Sequence, residues 1–224
     1  MPMKPALSKL AIVLTGLLLT TTSITTLAAS KATIKKGKQL YNQNCLVCHQ
    51  ADGVGKTGFA PSLTNPELLS IASEKFFENT ISDGRAGTAM PPWAHLGKKN
   101  IKAIIAYLRS YAKLPNRSTQ VNNEPKTKGD PALGKVWFVE ICSTCHGMKG
   151  NGYAAGGTGT AIGFAGFQNK VSDGFIRETI SHGRSNTQMR GFSGSEGLAH
   201  LTPGNIDDVI AYMRTLPKKN IANK

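Results

Sequence analysis

Cys45-Leu46-Val47-Cys48-His49 and Cys142-Ser143-Thr144-Cys145-His146 decide how this chain is read. Each is a C-x-x-C-H pattern, the signature of c-type haem attachment. Two thiols one helical turn apart can each form a thioether to one haem vinyl group. The histidine that follows then supplies a proximal nitrogen to the iron. The two motifs use all 4 cysteines of the chain. A four-cysteine zinc site needs no histidine after each pair, and a redox dithiol of the thioredoxin kind needs a βαβ context that the sequence lacks. The motifs therefore predict two covalently bound c-type haems, attached through Cys45, Cys48, Cys142 and Cys145, with His49 and His146 on iron.

The amino terminus agrees with that chemistry. Lys4 and Lys9 precede an apolar run from Leu10 to Leu19, and a Thr-rich stretch leads to Leu27-Ala28-Ala29. This is the layout of a secretory signal, with cleavage expected near Ala29 and export to the periplasm, the side of the membrane where c-type haem is attached. The apolar run is too short to span a bilayer as a helix. An uncleaved anchor reaching into the Thr stretch is the rival reading.

The length beyond residue 29 suits two small domains. Only 7% of residues are aromatic and 24 are glycine, so each side-chain core is thin. A buried haem would supply the missing apolar mass. The formal charge is +14. Residues 30–115 carry 12 Lys and Arg against 5 Asp and Glu, a net +7, whereas residues 130–217 carry 7 against 7. An exported haem protein meets little nucleic acid, so the basic half implies an acidic protein partner or peripheral contact with an anionic membrane face. A merely solvated face is the alternative.

The sequence also repeats itself. Gly37-Lys38-Gln39-Leu40-Tyr41 leads into Cys45 as Gly134-Lys135-Val136-Trp137-Phe138 leads into Cys142. Ile81-Ser82-Asp83-Gly84-Arg85 matches Ile180-Ser181-His182-Gly183-Arg184, and Ala106-Tyr107-Leu108-Arg109 matches Ala211-Tyr212-Met213-Arg214. A domain-sized period means a duplicated domain rather than a solenoid. The expected organisation is a signal peptide at 1–29, domain 1 at 30–115, a linker at 116–129, domain 2 at 130–217 and a basic tail at 218–224. Apolar spacing predicts helices near 32–44, 73–82 and 98–112, and again near 131–144, 172–182 and 204–215. No alternating apolar stretch suggests a strand, so the fold class is all-α. The polar linker, with Pro125 and Lys128, reads as an extended connection outside either core. Gly-rich loops at 52–64 and 147–166 could lie flat against a planar cofactor.

A low-spin carrier needs a sixth ligand. Beyond the signal, the first copy offers only Met90, in Thr88-Ala89-Met90-Pro91-Pro92-Trp93, where proline stiffens the loop. His95 is the rival. In the second copy Met189 follows Ile180 by the same 9 residues that separate Met90 from Ile81. Met148 is too close to His146 to cross a haem, and Met213 reads as core. His182 and His200 remain open as alternatives to Met189. His/Met ligation raises reduction potential, which suits an acceptor of electrons from mild donors.

With these residues in place, each half resembles a small class I cytochrome c. The Gly-x-x-x-aromatic helix, C-x-x-C-H, the Met loop and a last helix bearing an aromatic carry the resemblance over nearly all of 30–217. The whole resembles a dihaem cytochrome of the cytochrome c4 type, two tandem domains each forming a small helical bundle around its haem. The resemblance implies that Gly37 with Tyr107, and Gly134 with Tyr212, mark where first and last helices cross. It implies that the Pro61 carbonyl meets the proximal His49. It makes Arg85 and Arg184 partners for haem propionates. The second copy departs from the pattern, since residues 150–167 contain no proline, which leaves the partner of His146 unassigned.

Two functions compete. One is an electron carrier without chemistry of its own, passing electrons between protein donor and acceptor. The other is a catalytic haem protein or haem subunit, such as a periplasmic thiosulfate, sulfite or alcohol dehydrogenase or a peroxidase. Catalysis needs an open distal site, so the two methionines decide between them. Neither a further cysteine nor a Ser-His-Asp or paired-carboxylate arrangement supports an enzyme, and the carrier is the reading adopted.

Overall fold

Hydroxyl side chains start four of the helices. Ser30, Ser73 and Ser172 each accept a hydrogen bond from the backbone N–H three residues on, and Thr202 forms a reciprocal capping box with Asn205. A computed structural model describes Met1 and residues 29–195 and 197–217. The expected signal segment, apart from Met1 and Ala29, and the basic tail lie outside the described residues. Domain 1 begins with α1 (Lys31–Asn44) and a single turn, Leu46–His49, that carries the first motif. It continues through α2 (Pro66–Ile71), α3 (Glu74–Asp83) and α4 (Gly97–Arg109). A short α5 (Ser118–Asn122) follows. Domain 2 has α6 (Pro131–Trp137), a π-helical segment Phe138–Cys142, the motif turn Ser143–His146, α7 (Asp173–His182) and α8 (Pro203–Met213). The described residues form no strand, only isolated bridges. The six expected helices are present with ends shifted by at most three residues, except that the first helix of domain 2 passes into the π segment before Cys142.

The crossing of first and last helix fixes each domain. A Cβ on Gly37 would lie 1.9 Å from the Ala103 carbonyl oxygen, and one on Gly134 would lie 1.8 Å from that of Asp208. Only hydrogen fits where these backbones touch. Beside each crossing an aromatic pair meets at 5.3 Å, Tyr41 on Tyr107 and Phe138 on Tyr212. The repeated arginine of the last helix ties each domain a second time. Arg109 donates to Glu74 and to the Leu69 and Ala72 carbonyls, and Arg214 to Asp173 and to the Gln168 and Val171 carbonyls.

Asp173 also accepts from the Thr127 backbone N–H at 2.8 Å. Burial alone would raise its carboxyl pKa, but that N–H and Arg214 hold it below the ordinary carboxylate value. A depressed carboxylate stabilises the fold above its unfolded pKa, and the gain is lost as pH falls through the folded value. Asp173→Asn is therefore expected to cost about 2 kcal/mol near neutrality, the range for a hydrogen bond to a charged group. Chemical denaturation should show that difference closing in strong acid.

The linker differs from the sequence expectation. It folds into α5, and Val121 is 1% exposed within the first domain's core. One apolar residue among polar neighbours gave too weak a period to announce a helix. The two domains also share packing. Phe76 stacks on Phe175 at 5.3 Å, and Lys170 reaches across to Asp83 and to the Asn79 and Gly84 carbonyls. Asn65 donates to the Ser185 carbonyl, while Glu67 accepts from the Ser185 hydroxyl and N–H.

Candidate haem sites

Each motif closes as one helical turn, with the His49 N–H on the Cys45 carbonyl at 2.9 Å in the first. The turn ends at a residue of positive φ, Gln50 at 61° and Gly147 at 75°. That reversal sends the chain into the glycine-rich strap that runs back past the histidine. In domain 1 the strap presents the Pro61 carbonyl 2.9 Å from His49 Nδ1. In domain 2 the Thr160 carbonyl stands 2.7 Å from His146 Nδ1. A carbonyl can only accept, so Nδ1 carries the proton in both rings and Nε2 keeps its lone pair free for a metal. The missing proline is thus no gap. Thr160 supplies the oxygen through its backbone, a role no side-chain pattern could announce.

Electrostatics keep these rings in the ligating form. Burial lowers the pKa of His49, against the Pro61 hydrogen bond, and the Arg85 charge lowers it further. Burial likewise lowers His146 against the Thr160 bond. Both are neutral at physiological pH, as an iron ligand must be. Burial, and then the neighbouring Cys48, push the Cys45 thiol up to about 11; burial and Cys145 push Cys142 to about 12. These thiols are poor spontaneous nucleophiles and metal ligands.

The methionine loops are built alike. The Arg85 N–H donates to the Met90 carbonyl at 3.0 Å and the Arg184 N–H to that of Met189 at 2.6 Å. Thr88 and Thr187 hydroxyls accept from the Met90 and Met189 N–H groups. Gly84 and Gly183, at φ 65° and 70°, end α3 and α7 and let each loop fold back on its helix. Met90 and Met189 are half-buried, and Met189 packs in the same apolar cluster as Cys142. His95 is exposed and tilts against Trp93 at 5.5 Å. His182 is exposed and pairs with Glu178, and His200 is exposed with Nδ1 at the Gly194 carbonyl. Met148 is 59% exposed and Met213 only 3%.

Arg85 and Arg184 are the residues whose charge is out of balance. Burial lowers both guanidinium pKa values to about 10, which still leaves them cationic. Among the described residues neither has a carboxylate within salt-bridge distance, and Arg184 Nη1 is buried with no acceptor. A buried cation with no carboxylate at salt-bridge distance, at the start of each methionine loop, suits an anionic group of a bound cofactor. Two thiols, a neutral imidazole with one nitrogen free, a thioether loop and that cation are the donor set of a c-type haem. The residues fit the group.

Comparison with known proteins agrees. Residues 32–108 match the family described as cytochrome c oxidase, cbb3-type, subunit III, and residues 131–217 match cytochrome c. The chain is a tandem pair of cytochrome c domains, a class I dihaem c-type cytochrome with two covalent haems. Among curated proteins it is similar to the cbb3-type cytochrome c oxidase subunit CcoP of Rubrivivax gelatinosus, 28% identical over 181 residues. That match covers 80% of this chain and 53% of the relative. The FixP subunit of Bradyrhizobium diazoefficiens is 29% identical over 197 residues, covering 81% and 60% respectively. The chain thus spans a little over half the length of these relatives. A chain of the Kuenenia stuttgartiensis reducing HAO-like protein complex Kustc0457/Kustc0458 shows a loose likeness. Its TM-score is 0.47 and its identity 20%, over 81% of this chain and 96% of that one. Among the described residues no helix is long and apolar enough to cross a membrane.

Proposed function

We propose that this protein carries single electrons between redox proteins in the periplasm, through haems ligated by His49/Met90 and His146/Met189. Each bound haem supplies a one-electron couple; the chain's own residues set its surroundings. Cys45 with Cys48, and Cys142 with Cys145, hold the two groups covalently. Pro61 and Thr160 fix the imidazole tautomers. Arg85 and Arg184 tie the methionine loops by their backbones and offer positive charge to the propionates by their side chains. The observation that carries this reading is the duplicate construction: both halves hold histidine and methionine by the same backbone devices. With a histidine and a methionine on each iron, neither site would keep an open position for a substrate, which favours a carrier over the dehydrogenase and peroxidase alternatives. Carbon monoxide offered to the reduced protein tests this. A carrier leaves its spectrum unchanged, whereas an open catalytic site binds the gas at once.

The similarity to CcoP and FixP narrows the partner. A terminal oxidase of the cbb3 type is the acceptor we favour, with this chain either diffusing to it or resting in its complex. The basic half offers the docking face. Lys98 and Lys99 are exposed in the first turn of α4, where positive charge opposes the helix dipole and costs stability. Lys102, one turn on, has its Nζ 3.7 Å from Glu78. Fold stability does not ask for Lys98 and Lys99; an acidic partner would. Changing Lys98, Lys99 and Lys102 to Glu should slow second-order electron transfer about tenfold or more at low ionic strength. The loss should shrink at high salt, because charges on a rim are screened within roughly 8 Å at physiological ionic strength. Stopped-flow kinetics at two salt concentrations read both effects. An unchanged rate would make the cluster a solvated face.

A further inference from the structure

The straps under the two histidines are stiffened differently. Strap 1 has Pro61 at the carbonyl that meets His49, and the pyrrolidine ring fixes φ there. Strap 2 has Thr160 at that position, among Gly156, Gly157, Gly159 and Gly163, with no proline. Glycine adds conformational freedom that a ligand's support must not have. Yet the strap is pressed hard on the ring. A Cβ on Gly159 would lie 2.7 Å from His146 Cε1 and Nδ1, so any drift of this segment moves the imidazole.

The tether comes from the other domain. Arg85, at the end of α3, donates from Nη2 to the Ala161 carbonyl at 2.5 Å, one residue beyond Thr160. Its guanidinium lies over the Phe167 ring at 5.0 Å, also in domain 2. Planar stacking and a directed donor hold an arginine more firmly than a lysine could be held. The repeat partner does not return the favour. Arg184 donates to Thr179 and lies over Phe175, both within domain 2. The Arg85 backbone N–H meanwhile holds the Met90 carbonyl.

We propose that Arg85 is a cross-domain positioning residue for the second haem: it braces the proline-free strap whose Thr160 carbonyl orients His146. One residue thereby joins the methionine loop of domain 1 to the histidine support of domain 2. The proposal rests on His146 as a haem ligand, and the test separates the two. The reporter is the His146 Nδ1–H proton in the reduced full-length protein, whose solvent exchange is followed by NMR beside that of His49. Arg85→Met keeps bulk over Phe167 but removes the donor. It should speed exchange at His146 by tenfold or more, and by several-fold more than at His49, on which the Arg85 charge also acts. Arg85→Lys keeps charge and one donor and should give a smaller increase at the same site, which decides the matter if the Met variant fails to hold two haems. Unchanged His146 exchange would overturn the proposal, as would an equal rise at both histidines, which reports general loosening. A His146 proton that is not shifted by ligation in the unaltered protein would instead overturn the ligand assignment.

Discussion

Changing Cys142 and Cys145 together to Ala will yield a protein with one haem addition by intact-mass analysis, where the unaltered exported protein carries two and no free thiol. The effect is expected to be large because a haem attached there would complete the core of domain 2. Domain 2 buries Phe138, Val209 and Ile210 completely, but half-buried Met189, Phe192 and Cys142 edge the same cluster. A domain this small gains much of its stability from a staple of this kind. The variant should also lose protection from proteolysis in domain 2 before domain 1. Two haem additions in the variant would show that the second haem is not attached through these thiols.

Gly134→Val is expected to abolish the fold of domain 2, and Gly37→Val that of domain 1. The added atom would meet the Asp208 carbonyl at 1.8 Å or the Ala103 carbonyl at 1.9 Å, and backbone cannot yield as a side chain can. Separating the helices would also part Phe138 from Tyr212 or Tyr41 from Tyr107. A loss above about 4–5 kcal/mol belongs to this kind of overpacking, against a total stability of about 5–15 kcal/mol. Circular dichroism and haem yield on expression give the readout. Gly58→Val is the matched comparison, since a Cβ there meets nothing within 4 Å, although its φ of 76° still exacts a local strain. A normally folded Gly134→Val protein would contradict the crossing geometry.

Much of this was legible in the residues. C-x-x-C-H is a local pattern whose spacing is itself the chemistry, so the haem sites could be placed without a fold. The resemblance to class I cytochromes c implied helix crossings at Gly37 with Tyr107 and Gly134 with Tyr212, and the close backbone approach there accounts for the glycines. What could not be read was what backbone supplies. The Thr160 carbonyl serves His146 through an atom every residue owns. The burial of Val121 depends on a surface of domain 1 far away in sequence, and polar neighbours masked its helix. Arg85 and Arg184 look alike in the repeat, yet one crosses to the other domain and one stays at home, a difference set by how the domains pack.

The measurement that bears most directly on the account is the near-infrared charge-transfer band of the oxidised protein, which reports methionine sulfur on ferric iron. The account predicts an intensity for two such bonds, halved by Met90→Ala and abolished when Met189→Ala is added. An intensity for one bond that Met189→Ala leaves untouched would contradict it and turn attention to His182 or His200, both of which would have to leave the exposed positions they now hold.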